Sequence, residues 1–129
     1  MAKFKIAQNP TFKADVDIPR VGGTFNKVSF EFKYRDRKEL AQLFAGWQQS
    51  AKDYQDRLKE KGDEITLVDV TDADIEHQIL QVSDLVVGWG FDDKFTPEAI
   101  RALVETSASA ADAIVKAYQS AFAAARLGN

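Results

Sequence analysis

Phe12-Lys13-Ala14-Asp15-Val16-Asp17-Ile18 and, further on, Val28-Ser29-Phe30-Glu31-Phe32-Lys33-Tyr34 alternate apolar and polar side chains without a break. Successive side chains of an extended chain point to opposite faces. The period of two therefore places Phe12, Ala14, Val16 and Ile18 on one side of one strand, and Val28, Phe30, Phe32 and Tyr34 on one side of another. Pro19-Arg20-Val21-Gly22-Gly23-Thr24-Phe25-Asn26 between them has turn chemistry. The pair predicts an antiparallel β-hairpin. Phe4 with Ile6 predicts a short third strand, entered through a turn at Asn9-Pro10. A small sheet that carries its large apolar residues on one face must be covered by another layer.

That layer is helical. From Asp36 to about Lys61, Leu40, Phe44, Trp47, Ala51, Tyr54 and Leu58 recur at alternating intervals of four and three, and Leu43 widens the stripe. Such a helix is about 39 Å long, as long as the domain is wide. Its stripe therefore either covers the sheet or runs past its own core onto another subunit. Gly46 predicts a slight bend or a close backbone approach beside Trp47. Gly62-Asp63 ends the helix, and Ile65 to Val70 reads as a connector able to extend. Thr71, with Asp74 three residues on, opens a second helix, in which Ile75, Ile79, Val82 and Val86 form the stripe and which Gly88-Trp89-Gly90 closes. Thr96-Pro97-Glu98 opens a third, running to about Glu105. Ser107-Ala108-Ser109 interrupts it. The last helix, from about Ser109 to Arg126, contains nine alanines in residues 108–125, with Ile114, Tyr118, Phe122 and Ala125 along one side. The expected fold class is α+β: one domain over residues 1–129, β-rich to residue 35 and helical from residue 36, with an N-terminal hairpin or small sheet packed against about four helices.

Composition narrows the function classes. A chain of 129 residues hides roughly two thirds of its unfolded surface and folds without staples. Cysteine is absent, which excludes disulfides, thiolate metal sites and cysteine nucleophiles and leaves a reducing cytoplasm as the unforced compartment. The first residues lack the apolar core of a signal peptide, and no apolar run approaches the ~18 residues of a membrane span, so no membrane association is expected. The net charge of −3 conceals a division. Residues 1–62 hold thirteen Lys/Arg against eight Asp/Glu, whereas residues 63–129 hold four against twelve. The two charges are either solvated faces or a device that steers a basic face of one copy toward an acidic face of another.

No constellation carries chemistry. His77 is the only histidine, so a Ser-His-Asp site or a zinc site needing two imidazoles is impossible within one chain. It lies off the apolar stripe and reads as a surface residue. Asp72-Ala73-Asp74-Ile75-Glu76 opens like a calcium loop, but the sixth and twelfth positions, which need Gly and Glu, hold His77 and Ser83. Capping at a helix start accounts for those carboxylates. Gly88-Trp89-Gly90 and Gly22-Gly23 are too short to cradle phosphates. The aromatic and basic residues of 27–38 resemble a single-strand binding surface, yet the hairpin buries those aromatics and the acidic balance argues against nucleic acid. The expected protein is no enzyme, needs no cofactor and has no catalytic or metal-binding residues.

The C-terminal third carries a resemblance. Val86-Val87-Gly88-Trp89-Gly90, an acidic turn, Phe95-Thr96-Pro97-Glu98-Ala99-Ile100 with Leu103, Ala110-Ala111-Asp112-Ala113-Ile114-Val115-Lys116-Ala117-Tyr118 and a close on Ala125-Arg126-Leu127-Gly128-Asn129 resemble the tail assembly chaperones of long, non-contractile-tailed bacteriophages and prophages. The match rests on order and spacing. The chain departs from the family where Ser107-Ala108-Ser109 replaces a frequent Tyr-Pro turn and Gly128-Asn129 a frequent terminal Lys-Asn.

The resemblance implies a non-enzymatic morphogenesis factor in the host bacterial cytoplasm. Such a factor oligomerises, coats and solubilises the tape measure protein, helps recruit the major tail tube protein, and is missing from the mature virion. It also implies association with a longer, frameshifted form, and the finish at Asn129 suits the short one. Shielding a long chain with apolar helix faces takes many copies, each with a modest apolar groove, so that weak contacts add through avidity. Trp47, Tyr54, Trp89 and Phe91 are the candidate interaction residues, core packing being the alternative for each. The competing classes are a structural tube or completion protein of the virion, which needs more strand than this chain shows, and a small bacterial protein-interaction adaptor.

Overall fold

The alternating stretches pair as their pattern requires. In the computed structural model, which describes residues 4–126, β1 (Thr11–Pro19) runs antiparallel to β2 (Phe25–Lys33), with Phe12 opposite Phe32, Ala14 opposite Phe30 and Val16 opposite Val28. Val16, Ile18, Val28, Phe30 and Phe32 are buried, while Lys13, Asp15 and Asp17 are exposed. The hairpin turn places Gly22 and Gly23 at φ of 97° and 86°, a region that side chains with a Cβ rarely adopt. The Arg20 amide closes it on the Thr24 carbonyl at 2.8 Å.

Asp36 starts α1 (Arg37–Glu60) with a capping box: its carboxylate accepts the Glu39 amide at 2.8 Å, and the Glu39 carboxylate accepts the Asp36 amide at 3.1 Å. Gly62, at φ of 56°, turns the chain through one short 3-10 segment, Gly62–Glu64. The chain then re-enters a helix earlier than expected. α2 (Leu67–Leu85) is capped by Thr66 and Asp69, not by Thr71 and Asp74. The supposed connector from Ile65 to Val70 is thus largely helix. Asp72 and Asp74 lie beyond the first turn, and capping does not account for them.

The third strand is also elsewhere. Phe4 and Ile6 lie outside any strand and are fully exposed. Instead β3 (Val86–Trp89) leaves α2 directly and pairs antiparallel with β2, Phe30 opposite Trp89 and Glu31 opposite Gly88, in the sheet order β1-β2-β3. A register irregularity falls between Glu31 and Phe32. Val86 is buried as the helical stripe predicts, but from an extended backbone. The Gly90 amide reaches the Ser29 carbonyl at 2.7 Å. A Cβ at Gly90 would lie 3.3 Å from that same oxygen, a tight contact to which the Ser29 backbone would have to yield by a few tenths of an ångström.

Thr96 caps α3 (Pro97–Thr106), with Pro97 at the first helical position, and Ser107 caps α4 (Ala108–Arg126). Ala110, Ala111, Ile114 and Tyr118 are fully buried at helical spacing, and α4 lies along β1. The alanine-rich helix therefore covers the sheet, whereas α1 leans chiefly on α2. A Cβ at Gly46 would meet nothing, so of the bend or close approach expected there the close approach is absent. Each fully buried Phe or Leu contributes about 2–3 kcal/mol of transfer free energy, and Phe30, Phe32, Leu85, Ile114 and Tyr118 form one continuous cluster.

Candidate functional site

Where β2, α1, α2 and α4 meet, one guanidinium holds the layers together. Arg35 Nη2 donates to the Asp84 carbonyl at 2.7 Å, and Arg35 Nη1 donates to Tyr118 Oη at 3.3 Å. Tyr118 Oη donates in turn to the Lys33 carbonyl at 2.8 Å, and Trp47 Nε1 donates to Asp84 Oδ2 at 2.8 Å. Burial pushes the Tyr118 phenol above its ordinary value of 10.0, against the opposing pull of the Arg35 hydrogen bond.

A phenol raised by folding contributes stability that is complete below pH 10 and is lost as pH rises through the folded-state value. Tyr118→Phe is accordingly expected to cost about 1–3 kcal/mol at neutral pH. Its melting deficit relative to the native chain should shrink as pH climbs past 10. Thermal melts of both proteins across the alkaline range check this, and a constant deficit contradicts it.

Aromatic rings run through the core as a chain. Phe122 meets Phe12 at 5.6 Å between centroids, Phe12 meets Phe32 at 5.6 Å, Phe32 meets Phe30 at 6.0 Å, and Phe30 meets Phe91 at 5.8 Å and Trp89 at 6.3 Å. Trp89 lies 5.1 Å from Phe91 and 5.0 Å from Phe95. The candidate residues fall at two places on this frame. Trp47 and Tyr54 lie on α1 against α2, while Trp89 and Phe91 sit together at the end of β3. Trp47 is 7% exposed and packs on Phe44. Tyr54 is half-buried, with the Arg57 guanidinium 4.6 Å above its ring and His77 at its edge. Trp89 and Phe91 are half-buried, and Trp89 Nε1 donates to the Asp93 carbonyl at 2.8 Å.

His77 is not a surface residue. α2 is flanked by α1, α3 and α4, and the side chain is half-buried, with Nδ1 lacking a hydrogen-bond partner among the described residues. One ion pair joins the basic half of the chain to the acidic half, and a second lies within the acidic half. Lys61 pairs with Asp69 at 3.0 Å, and Glu76 of α2 pairs with Arg101 of α3 at 2.8 Å. The Asp69 carboxyl lies below the ordinary carboxylate value, first through the Thr66 amide and then through Lys61.

Two apolar surfaces escape a reading of periodicity. At the tip of the α1–α2 hairpin, Leu67 is 81% and Val68 67% exposed, with Ile65 and Val70 partly exposed beside them. The repeated spacing Thr66-x-x-Asp69 is the local signal that assigns these residues to a helix end. At the other end of α1, an open groove of about 820 Å³ lies between α1 and α4, lined by Leu40, Ala41, Phe44 and Phe122 with Arg37, Gln119 and Ala123. On the far side of Phe122 a second hollow of about 330 Å³ is lined by Phe12 and Tyr34. Arg35 and Asp84 carry no local signal at all, since their partners are 37 to 83 residues away in sequence.

No group of three or more His, Asp or Glu that could hold a metal ion occurs among the described residues. No helix among them is long and apolar enough to cross a membrane. The arrangement offers apolar contact area and hydrogen-bonded rigidity. No curated protein and no solved structure matches the chain. A protein-family model described as phage tail assembly chaperone matches residues 1–129, the whole length.

Proposed function

The chain belongs to the phage tail assembly chaperone family, and from that premise we propose that it coats and solubilises the tape measure protein, associates with further copies of itself, and helps recruit tail tube subunits. Family membership carries the general role in tail assembly and implies action by binding. The proposal adds the client, the self-association and a place of work in the host cytoplasm. It also adds association with a longer, frameshifted product and departure before the virion matures.

The observation that supports this reading is the open apolar surface. The tip at Leu67 and Val68 and the groove beside Phe122 leave large apolar side chains in water at two separate places, and exposed apolar area on a small domain marks an interaction surface. Trp89 and Phe91, half-buried and stiffened by their neighbours, provide the aromatic contact for an apolar helix face of the client. Tyr54 adds a second contact, whereas Trp47 acts through the fold it braces.

Co-expression with the tape measure protein of the same phage or prophage tests the proposal. The tape measure protein is expected to remain in the soluble fraction and to copurify with this chain, and mass spectrometry of purified particles to find the chain missing. A tape measure protein that precipitates equally with and without it overturns the client assignment. Stoichiometric presence in particles favours a structural tail component instead.

A further inference from the structure

The apolar tip and the apolar groove stand at opposite ends of the same helix. α1 spans Arg37 to Glu60, about 36 Å, with the groove on its first two turns and the tip beyond its last, so one copy cannot fill its own groove. Their charges are complementary. Arg37 is the only charged residue lining the groove among the described residues. The tip presents Asp63, Glu64 and Asp72, all exposed, next to a lysine already paired with Asp69. The aliphatic pair rimmed by carboxylates and the apolar cleft with a guanidinium at its edge are thus complementary in character.

We propose that Leu67 and Val68 of one copy insert between α1 and α4 of the next, against Leu40, Phe44 and Phe122, with the acidic residues of the tip meeting Arg37. The inference rests on the coating role proposed above and supplies its contact between copies. The two surfaces differ, so the interface is heterologous. Each added copy leaves one free tip and one free groove, and such an arrangement extends instead of closing on itself. An open-ended array suits a coat on a client of arbitrary length. The cost of exposed aliphatic residues on the free chain is repaid only when neighbours are present, and many weak junctions give a reversible assembly.

The test uses the full chain with two complementary variants. Leu67→Ser with Val68→Ser removes the tip, and Ala41→Arg blocks the groove. All three positions are exposed, so melting temperatures should stay within about 2 °C of the native chain, surface substitutions away from packed features usually being small. Light scattering should show the native chain growing in mass with concentration and each variant remaining monomeric. An equimolar mixture of the variants should form a species of twice the monomer mass, because one intact tip and one intact groove remain. Arg37→Glu should weaken assembly about tenfold, and adding Glu64→Arg should restore it.

A tip variant that assembles like the native chain, a mixture that stays monomeric, or a native chain monomeric up to millimolar concentration overturns the contact. Copurification with the tape measure protein separates the two ideas. A native chain that holds the client soluble while its tip variant still assembles normally sinks the junction and leaves the coating role standing.

Discussion

Trp47→Ala is expected to lower the melting temperature by about 10–20 °C, corresponding to a loss of about 3–5 kcal/mol. The indole is nearly buried, touches Phe44, and donates its only hydrogen bond to Asp84. Removing it opens a cavity between α1 and α2 and leaves a half-buried carboxylate oxygen without its donor. Since Asp84 also accepts from Arg35 through its backbone carbonyl, the disturbance reaches the junction of β2 with α4. Trp47→Phe keeps most of the packing and should cost only about 1–2 kcal/mol. Tyr54→Ala, on a half-exposed ring, should cost less than about 1.5 kcal/mol. The comparison separates bracing from binding: a Trp47→Ala protein that melts like the native chain but no longer holds a client places the residue at an interface instead.

Phe30→Ala is expected to be as damaging, at about 3–5 kcal/mol. Phe30 is fully buried at the centre of the sheet, opposite Ala14 on β1 and Trp89 on β3, and its ring joins Phe32 to Trp89 and Phe91. Its removal cuts the aromatic chain at the middle, so the β3 end should loosen before the hairpin does. In a Trp47→Phe background only Trp89 reports, and its fluorescence should shift to longer wavelength at temperatures where the far-ultraviolet circular dichroism is still native. Unchanged Trp89 emission together with a melting temperature within about 2 °C of the Trp47→Phe parent would show that Phe30 does not support the β3 end.

The sequence reading misplaces the start of α2 and the end of its apolar stripe for different physical reasons. Thr66-Leu67-Val68-Asp69 and Thr71-Asp72-Ala73-Asp74 both offer a hydroxyl followed three residues later by a carboxylate, and local capping energetics do not choose between them. The choice falls to the turn at Gly62 and to the Lys61–Asp69 pair, which favour the earlier start. Val86 continues the stripe of Ile75, Ile79 and Val82 at helical spacing. Its extended conformation follows from hydrogen bonds offered by β2, more than fifty residues upstream. The candidate aromatics were legible as large residues on apolar stripes, but their exposure was not. Trp47 and Tyr54 occupy the same stripe of α1, and only the placement of α2 makes the first buried and the second half-open.

The order of residues alone establishes the hairpin, the long first helix, the helix that opens at Thr96-Pro97, the alanine-rich last helix, and the lack of a histidine pair or a thiol for chemistry. These are local matters: side-chain period, cap geometry and composition act within a turn or two of the backbone. Packing at long range settles the identity of the third strand, the helix that covers the sheet, the Arg35–Asp84–Tyr118 junction, and the exposure of the tip at Leu67 and Val68. Which apolar side chain finds shelter depends on what the folded chain brings opposite it, and no local pattern carries that information.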